Sequence, residues 1–549
     1  MPDEPAVEPL TSARHRLNSL VQRVIGRFDA LGGRPGSADA DPPTGGTEGI
    51  SLRRSAVLGL VATVSIAIGG LMGGQTYETH LPGAWFFGMP GGHLGSIGSA
   101  SDYPPIVAAI AVYGGLILLT RVWFGLLRRL SHHRGIPVKK IVGVVVIWAI
   151  PLLLAPPLFS RDVYSYAGQG EMVSHHINPY VYGTGVLGST PFSTLPDAVW
   201  TNTPSPYGPT FLSVDGVLND VSGHGFLADL LLLRLLEVAS LALAVCALPS
   251  LARSAGRDPA QAVLLGVGCP LVLTTLLSGA HNDAMMVGLL LAGLAVGRRF
   301  GTVPGVVLCA LAAGVKSPAA LGVLFLGWAW AGPGATLSRR IAHAVGAGAI
   351  ALVTLQVVSM VSGIGWGWLR NAAAADKSFT IVTPIDLVSR VVADVASAVN
   401  LHISELGARS VFGAIGLLCA AAIGTWLLTR SPRDGLVRNV GLSLLVVALL
   451  GPILWSWYVL WGIMVLAAVA SGRLRSAIIV ICTFEVFVGV ATLHSVVQTL
   501  VHAGLLATLV LAAVLLAAVI VPLGRVEHSA RLDAPPLPDA DRQMAVAGT

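Results

Sequence analysis

Residues 141–166 read IVGVVVIWAIPLLLAPPLFSRDVYSY, and this stretch sets the expectation for the fold. The part from Ile141 to Leu158 contains no charged residue. A helix needs roughly 20 apolar residues to cross about 30 Å of hydrocarbon, so this part predicts a membrane-spanning helix. Arg161 and Asp162 follow where the apolar part ends, at the boundary of the membrane. A carboxylate loses hydration there, and it therefore usually has a partner or a chemical task.

The whole chain has the composition of a membrane protein. Of its 549 residues, 54% are hydrophobic and 11% are charged, whereas soluble proteins carry about 25% charged residues. Apolar runs recur along the sequence and predict an all-α polytopic membrane protein with roughly 12 to 14 transmembrane helices. The formal charge of +6 is modest and the basic residues collect in short loops, so nucleic-acid binding is not implied. All five cysteines stand singly in apolar segments, which favours neither disulfides nor metal ligation.

The pattern of charge divides the chain into two tails and one membrane domain. Residues 1–50 and 526–549 are polar and predict cytoplasmic tails, the first of them disordered, on either side of a transmembrane domain at 51–525. Basic clusters fall on alternate connections, which the positive-inside rule assigns to the cytoplasm. The two large loops at about 159–225 and 364–408 then face outward. Their Pro, Gly, Trp and Tyr residues favour short helices at the membrane interface.

Asp162 has two interpretations at this stage. An acidic side chain at the membrane boundary can serve as a general base towards a substrate hydroxyl group. It can also simply cap a helix that begins at Val163, which is a common role for Asp. From its position in the sequence alone, the capping role is the favoured interpretation of Asp162.

Two further groups of polar residues interrupt apolar segments. His281, Asn282 and Asp283 form a tight turn, where they either cap the next helix or present donors and acceptors to a sugar or a phosphate. Lys316 lies within an apolar hairpin, and a buried ammonium group there needs an anionic partner. A lipid phosphate and a carboxylate of the same protein are the two candidates.

Aromatic residues concentrate in the outward connections. For most of them the pattern is typical of the aromatic belt at a membrane interface. Some could instead stack on the apolar face of a pyranose ring. The sequence contains no P-loop, no GxGxxG motif before a helix and no HExxH motif, so binding of a soluble nucleotide is not supported. An enzyme of this kind would take an activated group from the lipid phase.

Several short motifs together resemble one family of membrane enzymes. They are Phe159-Ser160-Arg161-Asp162-Val163-Tyr164-Ser165-Tyr166, Asn178-Pro179-Tyr180, Pro206-Tyr207-Gly208-Pro209, His281-Asn282-Asp283, Val315-Lys316 and Trp457-Tyr458. Between about residues 55 and 520 the chain resembles the actinobacterial polyprenyl-phosphomannose-dependent α-(1→6)-mannosyltransferases of cell-envelope lipoglycan synthesis. These are integral membrane glycosyltransferases of the GT-C class.

The resemblance implies an inverting transfer of mannose from polyprenyl-phosphomannose to the mannan of lipomannan or lipoarabinomannan. It implies that Asp162 is the catalytic base, and we expect Lys316, Arg161 and His281 to bind the donor phosphate. Sugar and acceptor binding are expected from Tyr164, Tyr166, Asn282, Asp283, Tyr207, Trp457 and Tyr458. No metal or other cofactor is predicted. The expected partners are membrane lipid, the donor and a lipid-anchored mannan, with the active site on the outer side of the plasma membrane.

Two alternatives remain open from the sequence. A transporter or flippase of a polyprenyl-linked sugar would share the number of spans and the intramembrane charges, although no internal repeat is evident. A GT-C enzyme that uses another polyprenyl-phosphosugar would share the fold and differ in the shape of its pocket.

Overall fold

The computed structural model describes residues 51–72, 105–133, 135–372, 384–398, 405–430, 435–451 and 453–489. Within these ranges every regular element is a helix, which confirms the expected all-α fold. The tails expected at 1–50 and 526–549 lie outside the described residues.

The first half of the chain forms helices of very different lengths. In chain order they are α1 (Leu52–Met72), α2 (Pro105–His132), α3 (Val138–Leu154), α4 (Asp162–Ser174), a 3₁₀-helix (Thr184–Leu187), α5 (Pro191–Thr194), α6 (Ala198–Thr201), α7 (Pro209–Val221), α8 (Phe226–Ser254) and α9 (Pro259–Gly266).

The second half begins with a π-helix and continues with further α-helices. These elements are the π-helix (Val272–Ser278), α10 (Asp283–Arg299), α11 (Thr302–Ala313), a 3₁₀-helix (Ser317–Ala319), α12 (Ala320–Trp330), α13 (Leu337–Ser362), α14 (Trp368–Asn371), α15 (Pro384–Ala398), α16 (Glu405–Thr429), α17 (Leu436–Leu450), α18 (Val459–Ala467) and α19 (Gly472–Gly489).

In the described part of the chain, five helices are long and apolar enough to cross a membrane. Their spanning segments are Leu52–Gly70, Ile110–His132, Phe226–Ser254, Leu337–Ser362 and Gly407–Thr429. Helix α13 exposes large apolar side chains along its length, among them Leu352, Val353 and Val361. In a membrane protein such a surface faces lipid, where apolar side chains need no protein neighbour.

One further candidate span consists of two helices that meet at a sharp bend. The π-helix and α10 meet at an angle of 106° and raise the number of candidate spans to six if they count as one. Other apolar helices, including α11 and α17, are shorter than the length needed for a full crossing. The predicted 12 to 14 spans counted such short runs, and that number stays a prediction.

Short helices fill the loop predicted at 159–225. Helix α4 packs against α7, and α5 packs against α4. The loop predicted at 364–408 lies partly outside the described residues, and the parts described contain α14 and α15. Loop helices are therefore present as expected, whereas the side of the membrane on which they lie stays a prediction.

A close backbone contact joins the start of α7 to the end of α11. The backbone N–H groups of Thr210 and Gly208 donate to the carbonyl oxygens of Gly314 and Val315, at 2.9 and 3.2 Å. A Cβ atom on Gly208 would collide with the carbonyl oxygen of Gly314, so glycine is required for this approach. The contact brings Tyr207 next to Lys316.

Candidate active site

The end of α3 is fixed from the side by a buried arginine. The guanidinium group of Arg234 on α8 donates to the carbonyl oxygens of Leu152 and Ala155, at 2.8 and 2.6 Å. Carbonyl groups at the end of a helix lack intrahelical partners, and Arg234 satisfies two of them. The contact sets the direction in which the chain leaves α3 towards α4.

The turn before Asp162 lies against the break in the bent span. The backbone N–H of Leu158 donates to the carbonyl oxygen of Ser278 at 3.3 Å. Each of the two turns contains a non-glycine residue with positive φ, which is 68° for Phe159 and 51° for Ala280. This conformation costs about 1–3 kcal/mol and concentrates at functional sites. Both strained residues precede a candidate site residue closely in sequence.

Asp162 is the first residue of α4 and faces a histidine. Arg161 is the N-cap residue, and the hydroxyl oxygen of Ser160 accepts from the backbone N–H of Asp162 at 3.1 Å. The capping interpretation placed the helix start at Val163, and it is wrong because α4 begins one residue earlier. The carboxylate instead lies 3.6 Å from Nε2 of His281.

His281 is held by its other ring nitrogen. Its Nδ1 lies 2.7 Å from the carbonyl oxygen of Thr275 in the π-helix. A carbonyl oxygen only accepts, so Nδ1 carries a proton and Nε2 faces Asp162 either as a lone pair or, in the imidazolium form, as a second N–H. The ring also packs on Trp457, with 3.9 Å between the ring centroids. His281 is therefore fixed in orientation and can exchange a proton only through Nε2.

Lys316 has a protein carboxylate as its partner. Its Nζ lies 2.7 Å from Oδ2 of Asp283, and Oδ1 of the same carboxylate accepts from the indole N–H of Trp461 at 2.5 Å. The ammonium group also lies 5.0 Å from the ring centroid of Tyr458 and 5.5 Å from that of Tyr207. Of the two candidate partners, the structure supplies the carboxylate. Asp283 thus holds Lys316 in place.

Asn282 stands between these two pairs with unused hydrogen-bonding capacity. It is the N-cap residue of α10 but makes no side-chain capping bond. Its side chain is fully buried, and neither its amide nitrogen nor its amide oxygen has a partner among the residues that the structure describes. A buried polar group of this kind needs an explanation, and a bound polar ligand is one.

The remaining predicted aromatic residues divide into two groups. Tyr207 packs edge-on against Tyr166, with 5.2 Å between ring centroids, and is close to Lys316. Tyr164 instead stacks on Phe226 at 6.1 Å, within the packing of the loop helices. Arg161 adjoins Asp162 along the chain. The structure therefore brings most predicted site residues together, and the roles of all of them in substrate binding stay predictions.

Accessibility differs between the charged groups of this cluster. The side chain of Asp162 is 21% exposed and that of Lys316 is 13% exposed, whereas His281 is almost completely buried. Burial raises the pKa of the Asp162 carboxyl above its usual value, while the charge of Lys316, and that of His281 in its imidazolium form, oppose this rise. The carboxylate is thus accessible to a substrate and more basic than an ordinary aspartate.

Comparison with known families covers both halves of the chain. Residues 56–332 match the family model described as α-(1→6)-mannopyranosyltransferase, N-terminal domain. Residues 382–521 match the family model described as the MptB C-terminal domain. No solved structure matches the chain.

Similar curated proteins come from mycobacteria and corynebacteria. A probable α-(1→6)-mannopyranosyltransferase of Mycolicibacterium smegmatis is 30% identical over 78% of this chain and 81% of that protein. α-(1→6)-Mannopyranosyltransferase A of Mycobacterium tuberculosis is 32% identical over 67% of this chain and 72% of its own length. α-(1→6)-Mannopyranosyltransferase B of Corynebacterium glutamicum is 27% identical over 81% of this chain and 78% of its own length.

The helical membrane fold and these relatives together define the class of protein, which is a multi-pass membrane hexosyltransferase. Within that class the chain belongs to the α-(1→6)-mannopyranosyltransferase family, as the resemblance of its motifs predicted.

Two parts of the site were not predicted from the sequence. Trp461, which donates to Asp283, lies in an apolar helix that looks like ordinary core. Thr275, whose carbonyl oxygen orients His281, takes part through its backbone, so its side-chain type carries no signal. For Trp461 the only indication in the sequence is its spacing from Trp457 and Tyr458, because residues three and four positions apart lie on the same face of a helix.

Proposed function

We propose that the protein transfers mannose from polyprenyl-phosphomannose to the 6-hydroxyl of an α-mannan acceptor, with inversion at the anomeric carbon. In this proposal the reaction takes place on the extracytoplasmic side of the plasma membrane and builds the mannan of lipomannan or lipoarabinomannan. Family membership favours an enzyme over the alternative of a transporter or flippase.

The proposed reaction is a single displacement. The acceptor 6-hydroxyl oxygen attacks C1 of the β-linked mannosyl phosphate as Asp162 takes the hydroxyl proton. The bond from C1 to the phosphate oxygen breaks, and its electron pair leaves with the polyprenyl phosphate. The new glycosidic bond has the α configuration. His281 can then accept the proton from Asp162 through Nε2, which its bond to Thr275 leaves facing the carboxylate.

The leaving phosphate gains negative charge in the transition state and needs a fixed positive charge beside it. Lys316 is held at its position by Asp283 and by the surrounding aromatic rings. Its ammonium group therefore has to move little to stabilise the leaving phosphate. Arg161 is the second candidate, because it precedes the catalytic carboxylate directly.

One observation carries the proposal. Asp162, His281 and Lys316 are far apart in sequence, yet an accessible carboxylate of raised pKa and a fixed ammonium group lie in one connected cluster. A general base and an electrostatic partner for a leaving group are what a glycosyl transfer from a lipid phosphate requires.

Incubation of the purified full chain with labelled polyprenyl-phosphomannose and a short α-mannoside tests the proposal directly. The expected product carries one additional α-(1→6)-linked mannose, identified by NMR of the new anomeric signal. Guanosine diphosphate mannose should give no product, because the site is proposed to take its sugar from a lipid. Product from the nucleotide sugar, or from polyprenyl-phosphoglucose or polyprenyl-phosphoarabinose alone, would contradict the proposal. Movement of the labelled lipid across a vesicle membrane without product would favour transport.

The pH profile of the transfer provides a second prediction. Protonated Asp162 cannot accept a proton, so the rate should fall as the pH decreases through its raised pKa. Lys316 lowers this pKa, and its replacement by Met should therefore move the acid limb of the residual kcat/KM to higher pH. Lys316→Arg, which keeps the charge, is the matched control. An acid limb that stays in place in Lys316→Met would show that another group controls it.

A further inference from the structure

A second cluster of polar residues lies at the other end of the helix that begins with Asp162. Glu171 and His175 are one turn apart near the C-terminal end of α4, and His224 lies in the turn between α7 and α8. Nδ1 of His224 is 3.0 Å from one carboxylate oxygen of Glu171, and Nδ1 of His175 is 3.6 Å from the other. Glu171 is about 14 Å along the helix from Asp162, so the two clusters are separate.

We propose that Glu171, His175 and His224 bind a divalent transition-metal ion, for which Zn²⁺ is the best-suited probe. One ligand atom from each residue lies within 4.8 Å of the others. A metal bound at about 2.0–2.2 Å to imidazole nitrogen and carboxylate oxygen needs its ligand atoms roughly 3–3.5 Å apart. In this proposal the two exposed histidine rings rotate to close the remaining difference. Nδ1 of His175 then gives up its contact with the backbone carbonyl oxygen of Glu171 at 3.0 Å, and Nδ1 of His224 gives up its contact with Asn219 at 3.0 Å.

The chemistry of the donors selects the kind of metal. Two imidazole groups and one carboxylate suit Zn²⁺ and other first-row transition metals, whereas Ca²⁺ and Mg²⁺ prefer oxygen ligands alone. Three protein ligands leave at least one coordination position for water. The histidine side chains are 50% and 45% exposed, so the ion has direct access from solvent.

A buried pair of polar side chains fixes the ring of His224 in the structure. Nδ1 of His224 lies 3.0 Å from the side-chain oxygen of Asn219, and the amide nitrogen of Asn219 donates to Asp229 at 3.2 Å. Asn219 and Asp229 are both fully buried. Because an amide oxygen only accepts, Nδ1 of His224 carries a proton in this contact, and metal binding through Nδ1 requires that proton to move to Nε2.

The proposed ion would connect α4 with the turn between α7 and α8. His224 itself has φ of 60°, which is uncommon for a residue with a side chain. A metal bridge at this point stabilises the packing of the loop helices around that strained turn. The site is structural in this proposal and takes no part in the transfer.

The experiment uses the tag-free full chain in detergent, stripped with a chelator and dialysed against limiting Zn²⁺. One Zn²⁺ per chain is expected by elemental analysis, together with a higher unfolding temperature than that of the stripped protein. Bound Co²⁺ should give visible absorption bands of a site with nitrogen ligands. Glu171→Gln, His175→Gln and His224→Asn should each weaken binding at least about tenfold, since loss of a supporting group alone costs 10- to 100-fold.

His176→Asn is the matched control, because it removes the neighbouring exposed imidazole and Asn tolerates the positive φ of 57° found there. This variant should bind Zn²⁺ like the wild type. His175→Gln alters an exposed side chain, so it keeps the test valid if His224→Asn does not fold. Substoichiometric Zn²⁺ in the wild type, or unchanged affinity in the His175→Gln variant, would overturn the proposal and leave a hydrogen-bonded cluster without a metal.

Discussion

Replacement of Asp162 by Asn is expected to lower the rate of mannosyl transfer by about 10²- to 10⁴-fold, which is the usual contribution of a general base. Asn has nearly the same shape as Asp but cannot take the proton of the attacking hydroxyl. The N-cap residue of α4 is Arg161, and the backbone N–H of Asp162 donates to the hydroxyl oxygen of Ser160, so the substitution should leave the start of the helix intact. The measurement is kcat with saturating donor and acceptor.

Asp220→Asn provides the matched control for this prediction. Asp220 is an exposed carboxylate of α7 within the same large loop, so its replacement should leave the rate unchanged. The unfolding temperature and the yield of membrane-inserted protein should be equal for both variants. A wild-type rate in Asp162→Asn would remove Asp162 from the role of base, whatever the control shows.

The parts of the site that could be predicted from sequence share one property. Asp162 lies directly after a long apolar stretch, and His281 and Lys316 each interrupt one. A polar or charged group in such a place is costly enough to require a purpose. That local signal is visible without a fold. The motifs around these residues also carry the resemblance to the family, which the comparisons confirm.

The pairing of these residues could not be predicted, because it depends on contacts between distant segments. Asp283 and Lys316 are 33 residues apart, and Asp283 and Trp461 are 178 apart. From the residues alone, a lipid phosphate and a carboxylate of the same protein were the two candidate partners of Lys316. Arg234 likewise reaches carbonyl groups 79 and 82 residues away, which no local pattern indicates.

The helical class was predictable for a different reason than the details of each helix. The composition indicates that the chain lies in a membrane. Lipid offers no hydrogen-bonding partners, so the backbone groups there must bond to each other, as they do in a helix. The bend of 106° and the π-helix before it lie at the turn that carries His281. The residues of the π-helix, such as Thr274 and Thr275, have no sequence feature that distinguishes it from an α-helix.

The second large effect is expected for Lys316→Met. This substitution leaves the buried carboxylate of Asp283 without its cation, and removal of one partner from a buried ion pair costs about 3–5 kcal/mol. The unfolding temperature should therefore fall. If Lys316 also contacts the donor phosphate, loss of that charged hydrogen bond should weaken donor binding by about 10- to 100-fold, from 1.5–3 kcal/mol.

The double variant Lys316→Met/Asp283→Asn separates the two effects, because it removes the stranded charge while Asn keeps an oxygen that can accept from Trp461. Its unfolding temperature should return most of the way to that of the wild type. Its affinity for polyprenyl-phosphomannose should stay about 10- to 100-fold weaker, since the phosphate has still lost its cation. Lys140→Met, at an exposed lysine, controls for the loss of one positive charge. Recovery of donor affinity in the double variant would mean that Lys316 acts only as the partner of Asp283.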